Sequence, residues 1–396
     1  MKNAALIEEN TREVFSAEIK ITTTPSQLTS RLNRLDGCLI VIDWFMDGDE
    51  SKFFARLTKI LRSFGLTPFS GAVAVEFLKS QLRQENGAER FPHVMAYLLN
   101  LLNGRSPERP RSQLGCPNVI PGLTSRPIWG QSSSELRRLL PWVSLLEDNV
   151  DVIRSEFYAL RGTSAFQPYR SPLPPPHSEG LAAVADPESP SLSRQKANES
   201  DSLGQLATDS GAWNVAYLHL HGLDFADNLA LCPVTASIIA QIPRHYHHAF
   251  FSAMAPQTHI TPHYGSTNKK IRCHLPLVVP SQEGSSWLRV ADQRTTLVAG
   301  QCLVFDDSHE HEASNDSPDE PRVVLVVDVW HPDLSDQEVK FLSFLNKGQM
   351  AAAHRLAKES AAADQQGKKD FLSVILQARL GAVQDSAVWG HRVVDD

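Results

Sequence analysis

A chain of 396 residues is long enough for two domains, or one large domain with appendages, and for at least one sizeable hydrophobic core. With 42% hydrophobic residues, 21% charged residues and a formal net charge of −7, it has an ordinary globular composition, and its charge gives no reason to expect a nucleic-acid or anionic-membrane partner. Cys38, Cys116, Cys232, Cys273 and Cys302 are scattered, odd in number and without a CxxC pair, which argues against a disulfide framework or a thiolate zinc site and for reduced thiols in the cytoplasm. The N-terminus lacks the apolar segment of a signal peptide. No run approaches the roughly 20 apolar residues of a membrane span, so no membrane partner is expected.

In chain order, GCLIVIDWF at 37–45 fits a buried strand or a helix equally well. ESKFFARLTKILRSFGL, AVAVEFLKSQLRQ and PHVMAYLLNLLNG repeat apolar residues at three- and four-residue spacing and predict helices. Residues 1–105 are therefore expected to form a mainly helical accessory domain, or a dimerisation domain that would make a homodimer through those helices. The Pro-, Gly-, Ser- and Arg-rich stretch that follows reads as a linker over 106–135. PWVSLLEDNVDVIRSEFYALR places Trp142, Leu146, Val150, Ile153, Phe157 and Leu160 on one helical face, the pattern of a core-packing helix.

Residues 162–211 are rich in Pro, Ser, Asp and Glu, with few large apolar residues to bury, and are expected to form a mobile excursion, a lid for example. From Trp213 the texture changes. VAYLHLHG, AFFSAMA, KIRCHLPLVVP, RTTLVAG, QCLVFDD and RVVLVVDVWHP have high β character and are punctuated by Gly, Pro, Asn and Asp, which predicts an antiparallel sandwich or barrel. VVLVVDVW is apolar on both faces and should be a central strand covered on each side. Ser335 followed three residues later by Glu338 is a capping box, so a helix should begin there and lead into a helical tail over 334–396.

Within HYGSTNKKIRCHL, polar residues stand where a core strand would place Val and Ile. His263 lies at a turn after Pro262, and His311 lies just after QCLVFDD. The two are 48 positions apart, so they would reach a common cavity from different strands, unlike the single helix of an HExxH site. Two imidazoles suit Fe(II), Zn or Cu. The usual non-haem iron triad adds a carboxylate, often two residues after the first His, and here that position is Gly265. Lys270, Arg272 and His274 alternate along one strand and share a face.

HYGSTNKKIRCHLPLVVP, VFDDSHEHEASN and RVVLVVDVWHP together resemble the aspartyl/asparaginyl β-hydroxylase family of Fe(II)- and 2-oxoglutarate-dependent dioxygenases, over roughly residues 213–333. The resemblance implies an α+β fold with a double-stranded β-helix (jelly-roll, cupin-like) catalytic core over 136–333, flanking helices, and iron held by two His without a protein carboxylate. It implies that His263 and His311 bind the metal, that His274 contacts the 2-oxoglutarate carboxylate nearest the metal, and that Ser252 and Arg322 hold the distal carboxylate. Lys270 and Arg272 would face the substrate. Lys270 stands where the family often has Arg, which keeps the charge and loses the bidentate fork. The implied reaction uses dioxygen and 2-oxoglutarate to hydroxylate the β-carbon of an Asp- or Asn-type residue, in a small-molecule, carrier-bound or peptide substrate. Alternatives are the same chemistry on another amino-acid or acyl substrate, or a cupin-like binding protein without catalysis.

Other residues compete for these roles. His309 shares an extended face with His311. His245, His247 and His248 form a His-rich tract that reads as solvated surface. His259 would pair with His263 only on a helix, which Pro262 opposes, and His331 reads as structural. Asp306, Asp307 and Asp328 are candidates for the missing carboxylate, although the first two suit a turn. Ser, His and Asp all occur near 306–311, without a nucleophile elbow to support hydrolase chemistry.

Overall fold

The computed structural model describes residues 50–64, 66–84, 87–160, 165–168, 208–220 and 222–363. The 37–45 segment, most of the 162–211 excursion and the tail beyond 363 lie outside the described residues, and so does Cys38. The chain divides into two compact units. One holds the N-terminal part to Glu108 together with Ile120–Leu123 and Leu334–Gly348, and the other holds Arg109–Val119, Thr124–Asp333 and the part beyond Gln349. Residues 106–135, expected as a linker, are thus shared between the units, and Gln113 and Cys116 are buried. Composition misleads here because the polar side chains of this stretch are hydrogen-bonded inside the second unit, as described below.

In the first unit, α1 (Glu50–Ser63), α2 (Pro68–Leu82) and α3 (Pro92–Leu102) form where the apolar spacing predicts. Phe91 packs edge-on against Phe77 and Phe341, with ring centroids 6.1 and 6.5 Å apart. Glu338 is fully buried and does two jobs. Its Oε2 accepts from Ser335 N at 2.9 Å while Ser335 Oγ accepts from Glu338 N at 3.1 Å, completing the capping box. Its Oε1 accepts from His93 N (2.7 Å) and Val94 N (2.9 Å), two of the otherwise unpaired amides at the start of α3.

The second unit is α+β, with antiparallel pairing throughout its two sheets. Its helices are α4 (Ser133–Leu139), α5 (Val143–Glu147), α6 (Val150–Leu160), α7 (Ala226–Leu231) and α8 (Pro233–Gln241). The helix predicted across 141–161 is broken between α5 and α6. Asn149 Nδ2 donates to Leu145 O at 2.9 Å, so a side chain takes a helical carbonyl and competes with helix continuation. The first strands are β1 (Ile128–Trp129), β2 (Gln167–Pro168), β3 (Thr208–Ser210), β4 (Trp213–Leu220), β5 (Leu223–Asp224), β6 (His245–Met254) and β7 (Thr258–His263). They are followed by β8 (Lys270–Val278), β9 (Ser286–Val290), β10 (Gln293–Thr296), β11 (Leu303–Phe305), β12 (His311–Asn315) and β13 (Arg322–Trp330), before the long helix α9 (Asp336–Ala363).

The larger sheet runs β1-β11-β8-β13-β6-β4-β2, with β5 paired to β4; the smaller runs β10-β9-β12-β7-β3. From β6 onward the chain passes repeatedly from one sheet to the other. Strand β13 is central, as expected, and all nine of its residues are buried. Its alternate residues Val323, Leu325, Val327 and Val329 join the core formed with α4, α5, α6 and α8, while Val324 and Val326 face the space between the sheets. β7, β9 and β12 were not separately legible in the sequence, because Thr, His, Pro, Ser and Asn interrupt their apolar alternation. Among the described residues no helix is long and apolar enough to cross a membrane.

Replacing Glu338 with Ala strips three backbone amides, of His93, Val94 and Ser335, of their shared carboxylate. A loss of about 2 kcal/mol or more is expected, read as a lower urea midpoint for the first unit in a fluorescence titration. An unchanged midpoint would show that water replaces the carboxylate at no cost.

Candidate active site

The two sheets bring the candidate residues together from five strands. His263 ends β7 and His311 begins β12. They are direct partners in the antiparallel register, with ring centroids 4.1 Å apart. His263 Nδ1 lies 2.8 Å from Thr261 O and His311 Nδ1 lies 2.9 Å from His309 O. A carbonyl can only accept, so each Nδ1 carries the proton and each Nε2 keeps its lone pair. This is the tautomer and orientation a metal-ligating imidazole requires. Burial holds both rings below the ordinary imidazole range, His311 well below it, with the neighbouring His263 and the cations of Arg272 and Lys270 adding to the effect.

His274, on β8 of the larger sheet, reaches the pair through Phe305. His274 and Phe305 are 4.9 Å apart, and Phe305 and His311 are 5.6 Å apart, both edge-on. His274 Nδ1 is buried without a hydrogen-bond partner. Desolvation, then the charge of Arg322, keeps this imidazole neutral.

Arg322 opens β13 and is 2% exposed. Its Nη1 donates to Met254 Sδ at 3.2 Å, and no carboxylate of the described residues forms an ion pair with it. Burial alone pulls its pKa down to about 10, so it remains a cation. A buried guanidinium without a counter-ion is costly unless an anion arrives to match it. Ser252 lies opposite Val324, two residues along from Arg322 and on the same face of the sheet, and its Oγ accepts from Trp213 Nε1 at 2.9 Å. A buried unpaired cation, an oriented hydroxyl, an unsatisfied imidazole nitrogen and two free Nε2 atoms form a donor set suited to a divalent cation and a dicarboxylate. Iron(II) and 2-oxoglutarate fit these residues.

Lys270 and Arg272 do lie on the face of His274, and both are already matched to acids. Arg272 makes a bidentate pair with Asp328, Nε to Oδ1 at 2.8 Å and Nη2 to Oδ2 at 2.9 Å, and also approaches Asp307 at 3.2 Å. Lys270 Nζ bridges Asp307 (2.6 Å) and Asp328 (3.0 Å). His248 Nδ1 sits 3.0 Å from Asp328 Oδ2. Asp328 is fully buried, and Arg272 followed by Lys270 keeps its carboxyl well below the usual range in spite of desolvation. Its signal in the sequence is one acid in the otherwise apolar run VVLVVDVW, while its register opposite Arg272 comes from the fold.

The other candidates are placed elsewhere. His309 has both ring nitrogens taken, Nδ1 by Ser112 Oγ (2.8 Å) and Nε2 by Ser125 Oγ (3.0 Å). His259 faces Asp209 and Glu312. His331 accepts from Asp333 N through Nδ1 and donates to Thr124 O through Nε2. Asp306 accepts from Ser308 and from Gln113 within its turn. Asp307 packs against Gly265, where an added Cβ would meet its Cγ at 2.7 Å. The backbone at 265 therefore has no room for the carboxylate of an iron triad unless Asp307 moves. Phe305, Trp213 and the carbonyls of Thr261 and His309 are site features that no sequence motif marks.

Residues 177–332 match the family model described as Aspartyl/Asparaginyl beta-hydroxylase. Over 146 residues the chain is 36% identical to human aspartate beta-hydroxylase domain-containing protein 2, covering 35% of this chain and 39% of that protein. It is 45% identical over 92 residues to mouse aspartyl/asparaginyl beta-hydroxylase, covering 23% of this chain and 12% of that one. It is also 36% identical over 127 residues to the ornithine lipid ester-linked acyl 2-hydroxylase of Rhizobium tropici, covering 32% and 44% of the two chains. The likeness to the aspartyl/asparaginyl β-hydroxylase family is confined to this region of the chain. The chain spans roughly two-fifths of the length of the first curated relatives it matches. Among solved structures, a prolyl-4-hydroxylase of Pseudomonas putida is 13% identical, covering 48% of this chain and 98% of that one at a TM-score of 0.27, too low to carry an argument about the fold.

The buried imidazoles make stability depend on pH. His248, His263, His274 and His311 all sit below 6.5, chiefly through burial. The unfolded chain therefore binds more protons than the folded one below that pH, and stability falls as pH drops through 6.5. Asp306, pushed up to about 7 by burial, acts in the opposite sense between 7 and its ordinary 3.8. Four imidazoles outweigh one carboxyl, and each unmatched proton is worth about 1.4 kcal/mol per pH unit. In chelator, the melting temperature is expected to fall steadily from pH 7 to pH 5.5, whereas a flat or rising profile would mean that these rings protonate within the fold.

Proposed function

We propose that the second unit is an Fe(II)- and 2-oxoglutarate-dependent dioxygenase that hydroxylates an unactivated carbon of its substrate. The observation that carries the proposal is the His263–His311 pair, with both Nδ1 protons fixed on carbonyls and both Nε2 atoms free. The strands from β6 to β13 alternate between two antiparallel sheets, as a double-stranded β-helix requires, and this supports the same reading. The family match supports a hydroxylase.

In this reading His263 and His311 hold the iron, and the dicarboxylate supplies the negative charge that Gly265 does not. His274 Nδ1 meets the carboxylate nearest the metal. Arg322 and Ser252 take the distal carboxylate, with Trp213 fixing the Ser252 hydroxyl. Bound iron(II) would supply dioxygen activation coupled to conversion of 2-oxoglutarate to succinate and carbon dioxide, one oxygen atom going to the substrate. Phe305 and the apolar face of Phe250, Val324 and Val326 keep water from the cosubstrate. The Arg322 pairing is charge-assisted and unavailable until the ligand binds, so it contributes to binding without a competing partner to displace.

Two substrate classes remain, and different observations support them. The likeness to aspartyl/asparaginyl beta-hydroxylase favours an Asp- or Asn-type residue, free, carrier-bound or in a peptide. The neutralisation of Arg272 and Lys270 by Asp328 and Asp307, together with the likeness to an acyl 2-hydroxylase, favours a substrate without a carboxylate at that point.

The test is succinate formation in Fe(II), 2-oxoglutarate and dioxygen. His311→Ala is expected to abolish it; turnover that persists would place the metal elsewhere. Arg322→Met should leave the ligand-free melting temperature unchanged or higher, because it removes an uncompensated charge. The same variant should lose the stabilisation that 2-oxoglutarate gives, about 2.7 kcal/mol at a hundredfold excess over Kd. Retained stabilisation by 2-oxoglutarate would remove Arg322 from the cosubstrate site. For the substrate, Arg272→Met should raise KM for an acidic substrate well beyond its effect on 2-oxoglutarate; equal effects would move Arg272 to the cosubstrate.

A further inference from the structure

Away from the His263–His311 pair, three imidazoles and a carboxylate converge where the β4–β5 hairpin meets the start of β6. His219 Nδ1 lies 2.7 Å from Asp224 Oδ1, across a hairpin turned at Gly222 with φ +86°. The ring of His219 is 5.3 Å from that of His245 and 5.8 Å from that of His247, and the last two are 5.2 Å apart. Ligand atoms of His219, Asp224 and His247 all fall within 4.8 Å of one another.

Three further features bear on what this cluster does. First, β6 is bulged here. On β13, Val327 and Val329 pair with Ala249 and His245, so two residues of one strand span four of the other. Bulges of this kind re-aim side chains and recur beside functional sites. Second, His247 within the bulge and Arg244 just before it are non-glycine residues in the left-handed region, at φ 55° and φ 59°, a strained conformation for either. Gly222 N donates to His247 O at 3.0 Å, which ties the hairpin turn to the strained residue. Third, His245 Nε2 is shielded from solvent and has no hydrogen-bond partner.

We propose that His219, Asp224 and His247, with His245 beside them, form a second metal site for a Zn2+-class divalent cation that pins the β4–β5 hairpin to the bulged start of β6. Two imidazoles and one carboxylate with open positions for water match the preference of zinc, which such a donor set holds more tightly than Fe(II). A zinc ion bonds these atoms at about 2.0–2.2 Å, so Asp224, which is exposed, must draw in slightly. If zinc takes His219 Nδ1, the ring carries its N–H on Nε2 instead, and Asp224 Oδ1 exchanges its contact with Nδ1 for the metal. The site uses none of the residues assigned to the cosubstrate, so it stands or falls apart from the dioxygenase reading.

The test uses the full chain with His263→Ala and His311→Ala, so that the other pair cannot contribute, stripped with EDTA and titrated calorimetrically with Zn2+. Co2+ is used in parallel for its visible bands. One equivalent of Zn2+ is expected to bind, with a rise in melting temperature. Adding Asp224→Asn, or separately His247→Gln, should weaken binding by at least the roughly 10- to 100-fold that loss of even an outer-shell partner costs. Both side chains are exposed, so these variants should fold, with circular dichroism as the check. Absence of zinc binding in the parent, or affinity unchanged by both added substitutions, would overturn the proposal.

Discussion

Strand β13 lies between β8 and β6 with every residue buried, yet its inner face carries Arg322 at one end and Asp328 near the other. Charge in such a place must be answered by charge or by a ligand. Asp328 is answered within the protein: Arg272 clasps it with two hydrogen bonds, and Lys270 extends the cluster to Asp307. Arg322 has no acid partner among the described residues, which is why it is proposed to meet the distal carboxylate of a cosubstrate. The two halves of one strand therefore differ in kind. One is a finished ion cluster, and the other is a charge awaiting its partner.

The same packing leaves the His263–His311 pair without a neighbouring carboxylate at residue 265. A carboxylate at residue 265 would crowd Asp307, whose backbone carbonyl already accepts from Gly265 N and whose side chain is engaged by Lys270. Glycine there admits the turn of the acidic 306–307 segment. The imidazoles are fixed by carbonyls two residues before them in the chain, so their orientation does not depend on a metal to organise it. His309, in turn, is clamped between two hydroxyls from the segment 109–125, which lets its carbonyl serve His311.

The first unit shows the same economy with a different residue. One buried carboxylate, Glu338, caps the start of α9 and the start of α3 together, so two helices share a single point of attachment. The capping box was visible as Ser335 and Glu338. The second pair of contacts was not, because His93 and Val94 are more than two hundred positions away in the chain.

Much of the site could be read from local sequence. The alternation of Lys270, Arg272 and His274, the strand-end positions of His263 and His311, and the doubly apolar run holding Arg322 and Asp328 all follow from a two-residue period and from the cost of burying charge. Helix positions in the first unit followed from apolar spacing alone. The pairing of His263 with His311, the placing of Phe305 between His274 and His311, and the clasp of Arg272 on Asp328 were decided only by tertiary structure. The pairs His263–His311, His274–Phe305 and Arg272–Asp328 each join residues 31 or more positions apart. A single chain's periodicity specifies which face a residue occupies and not which distant strand will lie opposite, since that register is set by the packing of both sheets at once.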